Sequence, residues 1–201
     1  MVSCTYFLNG KPLEQVSSFK YSGVNVSNNF DWAVHIDSVT AKASQRLGMI
    51  KDVLFDAPRK VKRVAYLTLC RPILEYASEV WNPYLITQIT LLEDIQRKGV
   101  RFISGIRGRQ CVTEARVCLK LDLLETRRKT ARMNLMMQIL TNQKHDALIQ
   151  CFQKLQDFNH SFNTLSIANR HNRAPYALTC NTGFYQHSFM PRTSRNLRGK
   201  P

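Results

Sequence analysis

Residues 31–54 read DWAVHIDSVTAKASQRLGMIKDVL, and this stretch decides the class of the fold. Trp32, Ile36, Val39, Ala43, Leu47, Ile50 and Leu54 recur every three or four positions, which is the apolar stripe of an amphipathic helix. Asp31 stands where an N-cap belongs, since a short carboxylate accepts the free N–H groups of a first helical turn. The other side carries His35, Lys42, Arg46 and Lys51, so the solvent face is expected to be basic.

Towards the C-terminus the same period continues. Pro58 suits the first position of a second helix, where a missing N–H costs nothing. Val61, Val64, Ala65, Tyr66, Leu69, Ile73, Ala77 and Val80 extend that helix to Trp81, with Pro72 forcing a kink or a restart. Pro83 ends it. Thr90 and Glu93 have capping-box spacing before a third helix with Leu92, Ile95, Gly99, Phe102 and Ile103 on its inner face. Asp122 and Glu125 repeat the device before a fourth, LLETRRKTARMNLMMQIL (123–140), whose stripe is Leu124, Ala131, Leu135 and Ile139. Arg127, Arg128, Lys129 and Arg132 crowd its first turns. Positive charge there opposes the helix dipole, at about 0.3 to 1 kcal/mol per exposed group, and suggests an anion or acidic neighbour. Residues 144–157 allow a fifth helix.

Towards the N-terminus the period shortens to two. The runs 4–8 and 13–16 flank Asn9-Gly10, a dipeptide that tolerates positive φ and marks a hairpin. A third strand is expected in FKYSGVNV (19–26), with Phe19 and Tyr21 on one face, Val24 and Val26 on the other, and Gly23 at a bulge or close backbone approach. The expected fold is therefore mainly α with a small N-terminal antiparallel sheet. Its regions are 1–28 (β), 29–107 (helical), 108–157 (basic and helical) and 158–201 (an acid-free, mostly irregular basic tail).

Composition narrows the function. In 201 residues there are 29 Lys and Arg against 14 Asp and Glu, a net charge of +15, which is typical of chains that meet a polyanion such as nucleic acid or an anionic membrane face. The apolar fraction is 44%, within the globular range, and no apolar run approaches the roughly 20 residues that span a bilayer. The first residues lack the pattern of a signal peptide. An intracellular location, nuclear or cytoplasmic rather than secreted, is expected, with the six cysteines as reduced thiols. Neither they nor the histidines have the close pairing of a structural zinc site.

Catalytic patterns are missing from the sequence. It has no G-x-S-x-G and no G-x-x-x-x-G-K-[ST]. The adjacent acids Glu93 and Asp94 point about 100° apart on a helix, so they suit a surface or an ion pair better than a shared metal.

Five stretches taken in order, FKYSGVNVSNNFDWAVHI (19–36), RVAYLTLCRPILEYASEVWNPY (63–84), LLEDIQRKGVRFISG (91–105), LDLLETRRKTARMNLMMQIL (121–140) and SFMPRTSRN (188–196), strongly resemble the C-terminal portion of reverse transcriptases of non-LTR, LINE-like retrotransposons. The resemblance implies an end-of-palm hairpin, the primer grip, followed by a helical thumb. Phe19, Lys20, Tyr21, Gly23 and Val24 match the primer-grip pattern F-K-Y-L-G-V. Ser22 replaces its usual leucine, a change expected to cost on the order of 2 to 4 kcal/mol if the site is buried. The resemblance further implies an RNA template and a DNA primer as partners, with magnesium serving the complete RNA-directed DNA polymerase. The family's catalytic aspartates precede the primer grip, so this chain alone is expected to bind without polymerising and to need no cofactor of its own. The missing palm and fingers are then expected partners. The tail RNLRGKP (195–201) departs from the family's closing tryptophan and Leu-Pro pair.

On this reading Lys42, Arg46, Lys51, Arg59, Lys60, Lys62, Arg63, Arg127, Arg128, Lys129 and Arg132 are the candidate contacts to nucleic-acid phosphates, against a structural reading in which they form solvated faces. The Gly23 turn would bring the backbone to the primer strand, although Phe19, Tyr21, Val24 and Val26 also suit plain sheet packing. Trp81, Asn82 and Pro83, with Leu74, Glu75 and Tyr76, read as core. Two alternatives stay open, a host helical nucleic-acid-binding module and the inactive translation product of a decayed element.

Overall fold

The fold is described by a computed structural model over residues 6–106, 111–142 and 192–193. The expected helix at 144–157 and nearly all of the basic tail lie outside the described residues. The architecture is mainly helical with two small antiparallel hairpins at the N-terminal end.

The first hairpin pairs β1 (Phe7–Leu8) with β2 (Lys11–Pro12). Asn9 and Gly10 both have positive φ, 50° and 75°, the two-residue turn that matches strand twist. Its second strand is earlier and shorter than the expected run at 13–16. The stretch whose period suggested one strand, and whose resemblance implied a hairpin, is a second hairpin, β3 (Ser18–Tyr21) against β4 (Val24–Ser27). Ser22 and Gly23, at φ 46° and 84°, form its turn, so Gly23 is a turn glycine rather than a bulge. Cross-strand partners share a face. Phe19 opposite Val26 and Tyr21 opposite Val24 therefore put all four side chains on one side of the ribbon, not two. Ser22 is exposed, so its replacement of leucine removes nothing from the core.

Helix α1 (Ala33–Val53) buries Ile36, Val39, Ala43, Leu47 and Ile50, the stripe legible in sequence, and Asp31 Oδ1 accepts the Ala33 N–H at 3.1 Å. His35 departs from the basic side assigned to it. It is 3% exposed because β4 lies across the first turns of α1, and its Nδ1 accepts the Asn25 N–H.

Helix α2 (Arg59–Ala65) passes into a π-helical turn at Tyr66–Cys70 and then into α3 (Arg71–Glu75). Pro72 has no N–H to give to the preceding turn, and the Arg71 N–H reaches back five residues to the Tyr66 carbonyl. The extra residue rotates the helix. Tyr66, Cys70 and Leu74 become the inward set, while Val61, Val64 and Leu69, expected inside, are exposed.

Helix α4 (Ile86–Ser104) is the pillar of the bundle, packed against α1, α2, α5 (Val112–Cys118) and α6 (Leu124–Asn142). It starts four residues before the expected cap. The Thr90 hydroxyl bonds back to the Ile86 carbonyl inside the helix, and Gly105, left-handed at φ 67°, closes the C-terminal end. Glu93 is buried and its Oε1 accepts the Glu125 N–H at 2.9 Å. A carboxylate of α4 therefore caps α6, correcting both the surface reading of Glu93 and the capping role expected of it in its own helix. On α6 the inward positions are Leu124, Arg128, Arg132, Met136 and Ile139, with Ala131 and Leu135 only half-buried.

Tyr66 is fully buried and its ring lies on the backbone of α4 at Gly99, where an added Cβ would stand 2.6 Å from Cε2. Alanine is the better helix former by about 1 kcal/mol, so in an open helix Gly99→Ala would stabilise. Here it should destabilise by about 1 to 3 kcal/mol through overpacking. The same substitution in a Tyr66→Leu background should cost markedly less, as a double-mutant cycle in denaturant will show.

Candidate nucleic-acid interface

The basic residues divide between a groove, scattered exposed positions and the interior. The first is an open groove of about 960 Å³ where the C-terminal ends of α1 and α4 meet the start of α2. Lys51, Lys62, Lys98 and Arg101 line it with Asp52 and Asp56, and Phe55 and Phe102 provide apolar walls. Lys62 Nζ donates to the Phe55 carbonyl at 2.7 Å and sits 5.2 Å from the centre of the Phe102 ring, a cation–π contact that fixes it at the groove edge. Lys98 and Arg101 are exposed and have no ion-pair partner among the described residues. Four cations against two carboxylates leave the groove positive. Its aromatic walls could stack a base or ribose, and its cations could follow a phosphate backbone.

Lys98 and Arg101 were absent from the residues singled out by sequence. Their signal was available, since they stand three apart on α4, the spacing of neighbours along one helix face. Lys51 and Arg101 also occupy the last turns of α1 and α4, where positive charge offsets the carbonyl ends.

Other candidates are not brought to the groove. Lys42 and Arg46 are exposed on α1, about 180° and 140° around the helix from Lys51. Arg59 and Lys60 are exposed on the first turn of α2, and Lys129 on α6. Arg63 turns inward, its Nε donating to the Leu119 carbonyl at 3.2 Å.

Most of the α6 cluster is internal. Arg127 grips Glu75 of α3 with two nitrogens, Nε to Oε1 and Nη2 to Oε2, while Arg71 approaches the same carboxylate at 3.8 Å. Arg128 is 1% and Arg132 2% exposed. Neither can meet a phosphate backbone at the surface, because the inward stripe of α6 passes through both. This corrects their assignment as exposed contacts. Burial lowers the pKa of Arg128, and of Arg132 to about 10 with Arg192 and Arg128 nearby.

The primer-grip-like residues divide. Val24 is buried and Val26 packs on the core, whereas Phe19, Lys20 and Tyr21 are exposed. With Val16 and Phe30 the two aromatics line a shallow apolar cavity of about 410 Å³. The turn is tied down by Tyr76, whose hydroxyl donates to the Ser22 carbonyl at 3.0 Å. Tyr76 is itself exposed, unlike Leu74 and Trp81, which fulfil their reading as core. Trp81 Nε1 donates to the Tyr76 carbonyl at 2.6 Å, and the His35 ring meets Trp81 edge-to-face at 4.8 Å.

Among the described residues no three His, Cys, Asp or Glu side chains form a group that could hold a metal ion. Nor is any described helix long and apolar enough to cross a membrane. Comparison with protein-family models, curated proteins and solved structures finds no match.

His35 gives this region a pH signature. Burial, then the charge of Lys42, lowers its pKa below the ordinary 6.5, so the folded state holds the neutral ring, and protonating Nδ1 would remove the acceptor for Asn25. The unfolded chain then binds more protons as pH falls through about 6.5, and stability declines in that direction by at most about 1.4 kcal/mol per pH unit. His35→Phe should flatten this dependence between roughly pH 6.5 and the lowered folded value, as urea titrations of both proteins across that range will measure.

Proposed function

We propose that the chain binds a nucleic-acid duplex through the groove of Lys51, Lys62, Lys98 and Arg101, as the primer-grip and thumb portion of a non-LTR retrotransposon reverse transcriptase. The observation that carries this reading is the convergence of four cations from three helices, with two aromatic rings, in one open groove, in a chain of net charge +15. The ordered sequence resemblance supplies the identity of the duplex, a hybrid of RNA template and DNA primer. The two exposed aromatic side chains of the second hairpin, Phe19 and Tyr21, support the same reading. A ribbon that buries Val24 and leaves Phe19 and Tyr21 uncovered suits a hairpin that continues a larger sheet, as palm and fingers would provide. Catalysis and its magnesium belong, on this reading, to that upstream polymerase part, and the chain alone binds without extending a primer. A host module that binds nucleic acid through the same groove is the second reading, and it is distinguished by its choice of ligand.

Binding to a fluorescent RNA–DNA hybrid should weaken with salt, log affinity falling against log salt by nearly 0.9 for each phosphate neutralised on a duplex. Lys98→Ala and Arg101→Ala should each reduce that slope by about 1 and weaken binding whatever the sequence. Preference for the hybrid over single strands favours the thumb, and preference for single strands or structured RNA favours the host module. A salt-independent response sinks both.

A further inference from the structure

Arg128 is a buried cation that the described residues do not satisfy. Its Nε donates to Oδ1 of Asn82 at 3.3 Å, yet Nη1 and Nη2 are buried without a hydrogen-bond partner among the described residues. One turn along α6, Arg132 also buries an unpartnered Nε. Arg192 reaches the same place from the far end of the chain, its Nη1 donating to the main-chain carbonyls of Asn82 and Pro83, each at 3.0 Å. The next residue, Thr193, is fully buried and its hydroxyl has no partner among the described residues. The charges act on one another: after burial, Arg192 and then Arg128 disfavour the charged form of Arg132, whereas for Arg128 the carboxylates of Glu93, Glu125 and Glu75 favour the charge and Arg192 opposes it more weakly.

The nearby carboxylates do not resolve this. Glu93 is engaged by the Glu125 N–H and Glu75 by Arg127. Glu125 is exposed, and none of the three is ion-paired to Arg128 among the described residues. Bracing the Asn82–Pro83 backbone accounts for the bonds of Arg128 Nε and Arg192 Nη1, but not for an unpartnered guanidinium edge, which is costly to bury.

We infer that Arg128, Arg132, Arg192 and Thr193 form an internal site for one phosphate group. Four otherwise unused donor atoms on three side chains, carried by two turns of α6 and a separate segment, suit acceptors spread in three dimensions: a carboxylate holds its roughly four lone pairs in one plane, whereas a tetrahedral oxyanion presents oxygens in every direction. The two buried guanidinium groups of Arg128 and Arg132 also match a dianion better than a monoanion. The site lies by the N-terminal half of α4, at the opposite end of that helix from the groove, and it does not rest on duplex binding there. The phosphate is either free inorganic phosphate or the phosphorylated end of a nucleic-acid strand.

The test is calorimetric titration of the full chain with inorganic phosphate at constant ionic strength, with thermal melting in parallel. One equivalent should bind, and melting temperature should climb with phosphate but not with matched chloride. Arg132→Lys, which keeps the charge but loses the Nε donor, and Thr193→Val, which keeps the shape but loses the hydroxyl, should each weaken phosphate binding about tenfold. The double surface variant Lys42→Ala/Arg46→Ala should leave it unchanged. Competition by a 5′-phosphorylated dinucleotide but not its 5′-hydroxyl form assigns the phosphate to a strand end, and competition by neither assigns it to the free ion. The inference is overturned if phosphate fails to bind, or binds as several equivalents that the surface variant reduces, or binds equally to wild type, Arg132→Lys and Thr193→Val.

Discussion

The hydrogen bond from the Glu125 N–H to the Glu93 carboxylate fixes how this protein can use its positive charge. A buried carboxylate must be satisfied, and the first N–H groups of a helix have no partner of their own. Joining the two seats the N-terminus of α6 against the middle of α4. Gln96, one turn on, donates to the Asp122 carbonyl at 2.8 Å and holds the same junction from the other side. Once α6 enters at that point, its inward stripe runs through Leu124, Arg128, Arg132 and Met136. Two of the four cations crowded into the first turns of α6, Arg128 and Arg132, are thereby turned into the molecule. Arg127, at the edge of the stripe, is spent on Glu75.

The outward-facing charge consequently lies elsewhere. The groove at the C-terminal ends of α1 and α4 draws one cation each from α1 and α2 and two from α4. Two close packings place these helices, the ring of Tyr66 on Gly99 and the apolar stripe of α1 against α4. The hairpin end is organised separately, by His35 between Asn25 and Trp81 and by Tyr76 bonded to Ser22. Each is a polar contact made by a residue flanking the core.

Much of the fold was legible because its signals are local. The period of residues 32–54, the Asn9-Gly10 turn and the break at Pro72 each state their consequence within a few residues. The errors arise where the deciding partner is distant in sequence. Thr90 and Glu93 have the spacing of a cap, yet the N–H that Glu93 satisfies is 32 residues away. Val61, Val64 and Leu69 keep a regular period, but the run turns its Tyr66 side inward, and the π turn at Tyr66–Cys70 then brings Cys70 and Leu74 inside rather than Leu69. His35 shares a helix side with Lys42 and Arg46, and only the strand folded over it makes it internal. Of the candidate site, Lys51 and Lys62 were visible as part of basic faces. Lys98 and Arg101 stood in plain spacing but outside the densest charge, and density of cations misled, because Arg128 and Arg132 are packed rather than presented.

Lysine reactivity offers the most direct view of which surface meets a polyanion. The chain would be labelled with an amine-reactive reagent, free and saturated with an RNA–DNA hybrid, and read by peptide mass spectrometry. The account predicts that Lys51, Lys62 and Lys98 become protected while Lys42, Lys60 and Lys129 keep their reactivity. Protection of Lys42, Lys60 and Lys129 with continued labelling of Lys51 and Lys98 would contradict it, and would place the interface on the opposite faces of these helices.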